Sequence, residues 1–148
     1  MAFPLQLRVG TNGTSATTSP VVTLPLNIQS GETLLIFIRN AEGGTITFPN
    51  EGIDWIKLFE NSSDASNDTT ALAWRRSDGN EGASVTLTFS VSGKFAATAW
   101  RMLGALDPNI QPPEFATLVT GTSTLPDPGN LTPTGGAKDY RWLWIGSW

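Results

Sequence analysis

Hydrophobic residues recur along this chain with a period of two rather than 3.6. That is the repeat of an extended strand, whose successive side chains point to opposite faces. Thr33–Asn40 (TLLIFIRN) is apolar almost throughout and predicts a central strand buried on both faces. In Ser84–Ser90 (SVTLTFS), Val85, Leu87 and Phe89 point one way and Thr86 and Thr88 the other, as in a half-buried strand. Thr70–Arg76 (TALAWRR) and Phe95–Arg101 (FAATAWR) alternate in the same way. Shorter candidates are Gln6–Val9, Val21–Leu24, Thr45–Phe48, Trp55–Phe59, Phe115–Val119 and Tyr140–Ile145. No segment carries an amphipathic helical repeat.

Turn residues fall between these runs. Gln29-Ser30-Gly31-Glu32 precedes the central strand, and Glu42-Gly43-Gly44 follows it. Asp78-Gly79 and Ser92-Gly93-Lys94 flank Ser84–Ser90, so the sequence predicts a three-strand antiparallel meander from Thr69 to Arg101. Many short strands at this spacing define an all-β chain, an antiparallel β-sandwich or jelly roll with long Pro/Gly/Thr-rich loops and little or no helix. Residues 1–19 read as an N-terminal arm with one short strand, and residues 20–148 as the sandwich domain. Asp107–Pro113 and Gly121–Gly136 read as long surface loops and as contact candidates. The last residues, Arg141–Trp148, hold three tryptophans without a polar exit. The expectation is that the polypeptide continues past Trp148, or that a neighbouring subunit completes this strand.

Composition narrows the function. The chain of 148 residues has no histidine and no cysteine, so imidazole bases, thiolate nucleophiles and the usual zinc, haem and iron–sulfur ligands are missing. Only 15% of residues are charged, against roughly 25% in an average domain. The net charge is −4 and the nine basic residues are scattered, which argues against nucleic-acid binding. Met1–Leu5 shows neither a basic n-region nor an apolar h-region, so no signal peptide is expected, and no apolar run approaches the ~20 residues of a membrane span. The expectation is a non-enzymatic protein made in a cytoplasm, with no cofactor and neither membrane nor nucleic acid as partner.

Few groups remain for chemistry. Glu60–Asp68 is the densest set of oxygen ligands, and Asp64 and Asp68 are weak calcium candidates, although the EF-hand spacing and its glycine are absent. The carboxylate pairs Asp54/Glu60 and Asp78/Glu81 would suit a glycosidase, but their places in turns read more simply as surface carboxylates. Trp55, Trp142 or Trp148 would serve as a sugar-stacking platform. Trp74 and Trp100 read as core residues, and Trp74 shares a strand face with Arg76. Four Asn-x-Ser/Thr acceptors, at Asn12, Asn61, Asn67 and Asn130, carry little weight where no secretory leader is expected.

With the strands placed, the chain resembles a family of small β-sandwich proteins encoded by tailed bacteriophages. The resemblance rests on PVVTLP (20–25), SGETLLIFI (30–38), TITFP (45–49), Asp54-Trp55, TTALAWR (69–75), SDGNEGASVTL (77–87), SGKFAATAWR (92–101), Gly104-Ala105 and KDYRWLWI (138–145). These are strand cores and hairpin turns, and no catalytic residue comes with them. The resemblance implies a virion structural protein, assembled in host cytoplasm and homo-oligomeric, with a trimer as the guess. A capsid decoration or cement protein bound to the major capsid protein or another virion protein is the leading expectation. Phe3, Leu5, Ile110, Leu125 and Trp148 are the expected partner contacts. The alternatives are a tail or fibre protein that binds a host receptor, and a carbohydrate-binding module.

Overall fold

The computed structural model describes residues 5–63, 67–116, 130–136, 140–143 and 145. These hold nine strands and no helix: β1 (Leu5–Thr17), β2 (Val21–Thr23), β3 (Thr33–Asn40), β4 (Ile46–Thr47), β5 (Ile56–Ser63), β6 (Asp68–Arg76), β7 (Ser84–Thr86), β8 (Thr88–Phe89) and β9 (Gly93–Leu103). Every named strand pair is antiparallel. The chain is thus all-β and sandwich-like.

Five strands form the large sheet, in the order β1–β9–β3–β6–β5. β3 takes the centre because both of its faces are apolar. Leu34, Ile36 and Ile38 face one layer, and Leu35 and Phe37 the other. A second layer forms around Ser84–Phe89. β7 pairs with β2, and β8 with β4. Leu87 N–H to Pro20 O (2.9 Å) and Phe89 N–H to Thr18 O (2.8 Å) extend the β2 side, while Ser90 N–H to Thr45 O (3.0 Å) extends the β4 side. One short run is therefore the middle strand of the second layer.

The main core lies between the layers. In register, Ile36 sits between Ala73 and Ala99, and Ile38 between Ala71 and Ala97. Flanking each isoleucine with alanines leaves room for the large side chains opposite: Phe48, Trp55, Leu87 and Phe89. A second apolar cluster covers the outer face of the large sheet, where Leu35 lies between Trp74 and Trp100. Leu143 and Ile145 pack on that cluster. Trp74 and Trp100 are core residues, as their alternation predicts.

The predicted meander does not form. β6 has both edges taken, by β3 and β5, and β9 is held between β3 and β1. Ser84–Phe89 therefore crosses to the other layer. The Asp78-Gly79 turn does not close a hairpin because its groups bond elsewhere. Ser77 donates its N–H to Glu32 O (2.8 Å) and accepts from Gly31 N–H (2.9 Å), while Glu81 accepts the N–H groups of Asp78 and Gly79. The stretch read as an arm with a short strand is instead strand over Leu5–Thr17, paired with β9 from Leu5 to Gly13 and again at Thr17. Described residues of Phe115–Val119 and Tyr140–Ile145 are not in strands; Leu143 and Ile145 lie against the outer-face cluster, and Phe115 against Phe59.

A buried polar anchor fixes the crossing. Asn40 is fully buried and donates its amide to Gly43 O (2.7 Å) and Val91 O (3.1 Å), while its Oδ1 accepts from Glu42 N–H (3.2 Å). Gly93 must be glycine here, since a Cβ would stand 1.9 Å from Asn40 Oδ1.

Candidate interaction surface

Most ionisable side chains are used within the fold. Asp68 Oδ2 accepts from Arg39 Nε at 2.6 Å, so a guanidinium already occupies this calcium candidate; Asp64 lies outside the described residues. Glu60 turns inward, takes Lys57 Nζ at 2.8 Å and accepts Ile46 N–H at 3.2 Å. Lys57 also reaches Glu51 at 3.0 Å. Burial by itself lowers the Lys57 pKa, but the hydrogen bonds and charges of Glu60 and Glu51 outweigh it and raise the pKa above its ordinary value. Among the described residues no three carboxylates gather as a metal site.

The proposed carboxylate pairs are not brought together as acid and base. Asp54 accepts from the Asn50 amide at 2.8 Å. Asp78 and Glu81 cap backbone N–H groups of their own turn, beside Arg75. Trp55 is buried against Phe48 with Arg75 over its ring, 5.8 Å from the centroid, so it presents no platform. Arg76, on the Trp74 face, instead binds Asp107 through Nε, 3.1 Å from each oxygen. Trp142 is 59% exposed and leans on Tyr140.

That Arg76–Asp107 pair anchors the loop that follows β9. Asp107 also accepts the N–H of Asn109 at 2.9 Å and, through its backbone carbonyl, those of Ile110 and Gln111. The loop runs beside β5, where Phe115 meets Phe59 with ring centroids 5.9 Å apart. Glu114 fastens its far end: the Thr134 hydroxyl and N–H and the Gln111 amide all donate to it. The Thr134 bonds, hydroxyl first, hold the Glu114 carboxyl below its ordinary pKa.

Two clefts open along this wall. One, of about 290 Å³, is lined by Ile53, Asp54, Ile56, Trp74, Arg76 and Asn109. The other, of about 520 Å³, lies between Leu58, Ile110, Pro112, Pro113, Phe115 and Leu131. Ile53 and Ile110 stand on this rim at 83% and 81% exposure. The sequence singles out Ile110 but not Ile53. The available clue was the Asn50-Glu51-Gly52 turn, where Asn50 O accepts the N–H groups of Ile53 and Asp54 and the backbone reverses. A residue just after such a turn is aimed at solvent.

The two edges of the large sheet differ. β5 is guarded by a register shift between Lys57 and Phe59, and by the inward charges Lys57 and Glu60. Such devices prevent unwanted strand addition. β1 has Arg8 as its one charge, and its register shift comes only after Gly13. Among the described residues no strand pairs with its other edge.

Of the remaining expected contacts, Leu5 opens β1 opposite Leu103, while Phe3, Leu125 and Trp148 lie outside the described residues. Among the described residues no helix is long and apolar enough to cross a membrane. No known protein family matches this chain, and no curated protein or solved structure matches it either.

Proposed function

We propose that this chain is a non-enzymatic structural protein of a tailed-phage virion, a decoration protein that seats on the capsid through the rim beside β5. The observation that carries the reading is the pair Ile53 and Ile110, two large apolar side chains held almost fully in water on one rim. Around them the charged groups are engaged within the chain: Arg76 pairs with Asp107, and Glu114 accepts hydrogen bonds from Thr134 and Gln111. An apolar rim suits a protein surface, since burying each isoleucine contributes about 1.5–3 kcal/mol. The resemblance supplies the setting, a virion put together in host cytoplasm with the coat protein as partner. Immunogold labelling of phage particles tests it. Label over the head is the expected result, and absence of label from every particle overturns the reading.

A second reading has its own observation. The cleft of about 290 Å³ combines Trp74 and two isoleucines with Asp54, Arg76 and Asn109, an apolar floor with polar side chains suited to a sugar ring. Under it the chain binds a receptor glycan, and label falls on the tail. Titration with glycans, followed by tryptophan fluorescence and checked with Asp54→Ala, separates the two.

A further inference from the structure

We propose that two copies of this chain join edge to edge through β1, antiparallel about a two-fold axis at Val9, so that two five-stranded sheets become one of ten strands. The inference stands apart from the virion reading and needs only the sheet edge.

The edge is open in the sense that matters for pairing. β1 has 13 residues, about twice the usual strand. It carries no proline and a single charge, and Leu7 on it is 43% exposed. A long edge with so little protection is a template for another strand. The opposite edge of the same sheet carries the protective features that β1 lacks.

A second copy fits this template in one register better than in others. In an antiparallel pair, directly opposite residues share a face of the sheet. An isologous pair therefore has its axis through a residue, with partners of equal parity. The regular part of β1 is Leu5–Gly13, before the shift, and its middle residue is Val9. An axis there uses the whole regular stretch. It sets Val9 against Val9, a favourable β-branched pair, and Leu7 against Thr11. Arg8 meets Gly10, with no like charge opposite, whereas an axis at Arg8 would oppose two guanidinium groups.

The resulting sheet has a functional geometry. The β5 rims, with Ile53 and Ile110, lie at its two far ends. With strands about 4.8 Å apart the ends are about 43 Å from each other. One dimer then presents two identical apolar rims, the arrangement for bridging two neighbouring partners.

Gly10 provides the test. Its φ is not in the positive range, and a Cβ there meets only Ala97 O at 3.9 Å, so a side chain is accommodated within the subunit. In the proposed register, Gly10→Lys sets two new like-charge pairs against Arg8, and Gly10→Glu two opposite-charge pairs. Sedimentation equilibrium of the full chain is expected to show a dimer. The lysine variant should weaken it by about tenfold, and the glutamate variant should leave it as tight or tighter. Added salt should shrink that contrast. A wild-type chain that stays monomeric at every concentration overturns the proposal. So does a dimer that both variants weaken alike, or that neither affects. Binding of a wild-type chain that is monomeric at every concentration to phage heads would leave the virion reading standing while the dimer fails.

Discussion

The Arg101 guanidinium grips the Glu32 carboxylate with two nitrogens, at 2.6 and 2.8 Å, and spends its third on Leu26 O at 2.7 Å. One buried side chain on β9 thereby ties the entrance of β3 to the segment that leaves β2. Burial alone raises the Glu32 pKa, but the Arg101 hydrogen bonds, the Gln29 N–H and the Arg101 charge together hold it below its ordinary value. For Arg101, the Glu32 hydrogen bonds come first, and they raise its pKa despite burial.

Removing Arg101 leaves Glu32 largely buried without its partner. Arg101→Ala is expected to cost about 3 kcal/mol in urea unfolding at neutral pH. An effect under about 0.5 kcal/mol, the range of ordinary surface changes, would contradict the role given to the pair.

The same pair sets an acid limb. The folded Glu32 pKa lies below the ordinary value of 4.5, so its contribution is complete above that value and is lost as pH falls through the folded pKa. The stability difference between wild type and Glu32→Gln should be constant near neutrality and close on acidification. A difference that grows as the solution is acidified would reverse the sign and contradict the assignment.

Gly93 is set by contact. Gly93→Ala drives a methyl into Asn40 Oδ1 and should destabilise the fold by about 1–3 kcal/mol. If thermal melts of the two proteins coincide, the Asn40 anchor is looser than described.

Asp68 separates calcium from structure. Its carboxylate already accepts Arg39, so added calcium or a chelator should leave the melting temperature unchanged. A rise with calcium would restore the metal reading of Glu60–Asp68.

The β5 rim separates stability from binding. Ile53→Ser with Ile110→Ser removes two side chains that pack on little, and should shift unfolding by no more than about 0.5 kcal/mol. The doubly substituted protein should nonetheless fail to bind phage heads in a pull-down. Unimpaired binding would remove the rim from the interface.

Strand identity was legible in the sequence because period-two alternation is a local property. β3, β6 and β9 fall where TLLIFIRN, TALAWRR and FAATAWR stand, and the burial of Trp74 and Trp100 follows from their phase. Pairing was not legible, because it depends on competition for edges. Asp78-Gly79 has the chemistry of a hairpin turn, yet β3, apolar from Leu34 to Ile38, offers β6 and β9 a partner on each side and wins both. β1 was underestimated because its Gly10, Asn12 and Gly13 have weak strand propensity; pairing to β9 from Leu5 to Gly13 and the Phe95 ring, directly opposite Gly13, stabilise it from outside. Of the candidate surface, Ile110 stood out in a proline-rich loop, while Ile53 depended on a turn whose direction only the three-dimensional chain reveals.

The pairing of Leu5 with Leu103 also sets an order of events at the ribosome. β1 emerges first, but its partner β9 is synthesised last of the nine strands, and the central strand also waits for it on one side. At about 5–20 residues per second the nascent amino-terminal segment spends roughly 5–20 s without its native neighbour. A chaperone that shields Leu5–Thr17 during that interval would protect the chain when its longest strand has nothing to hold.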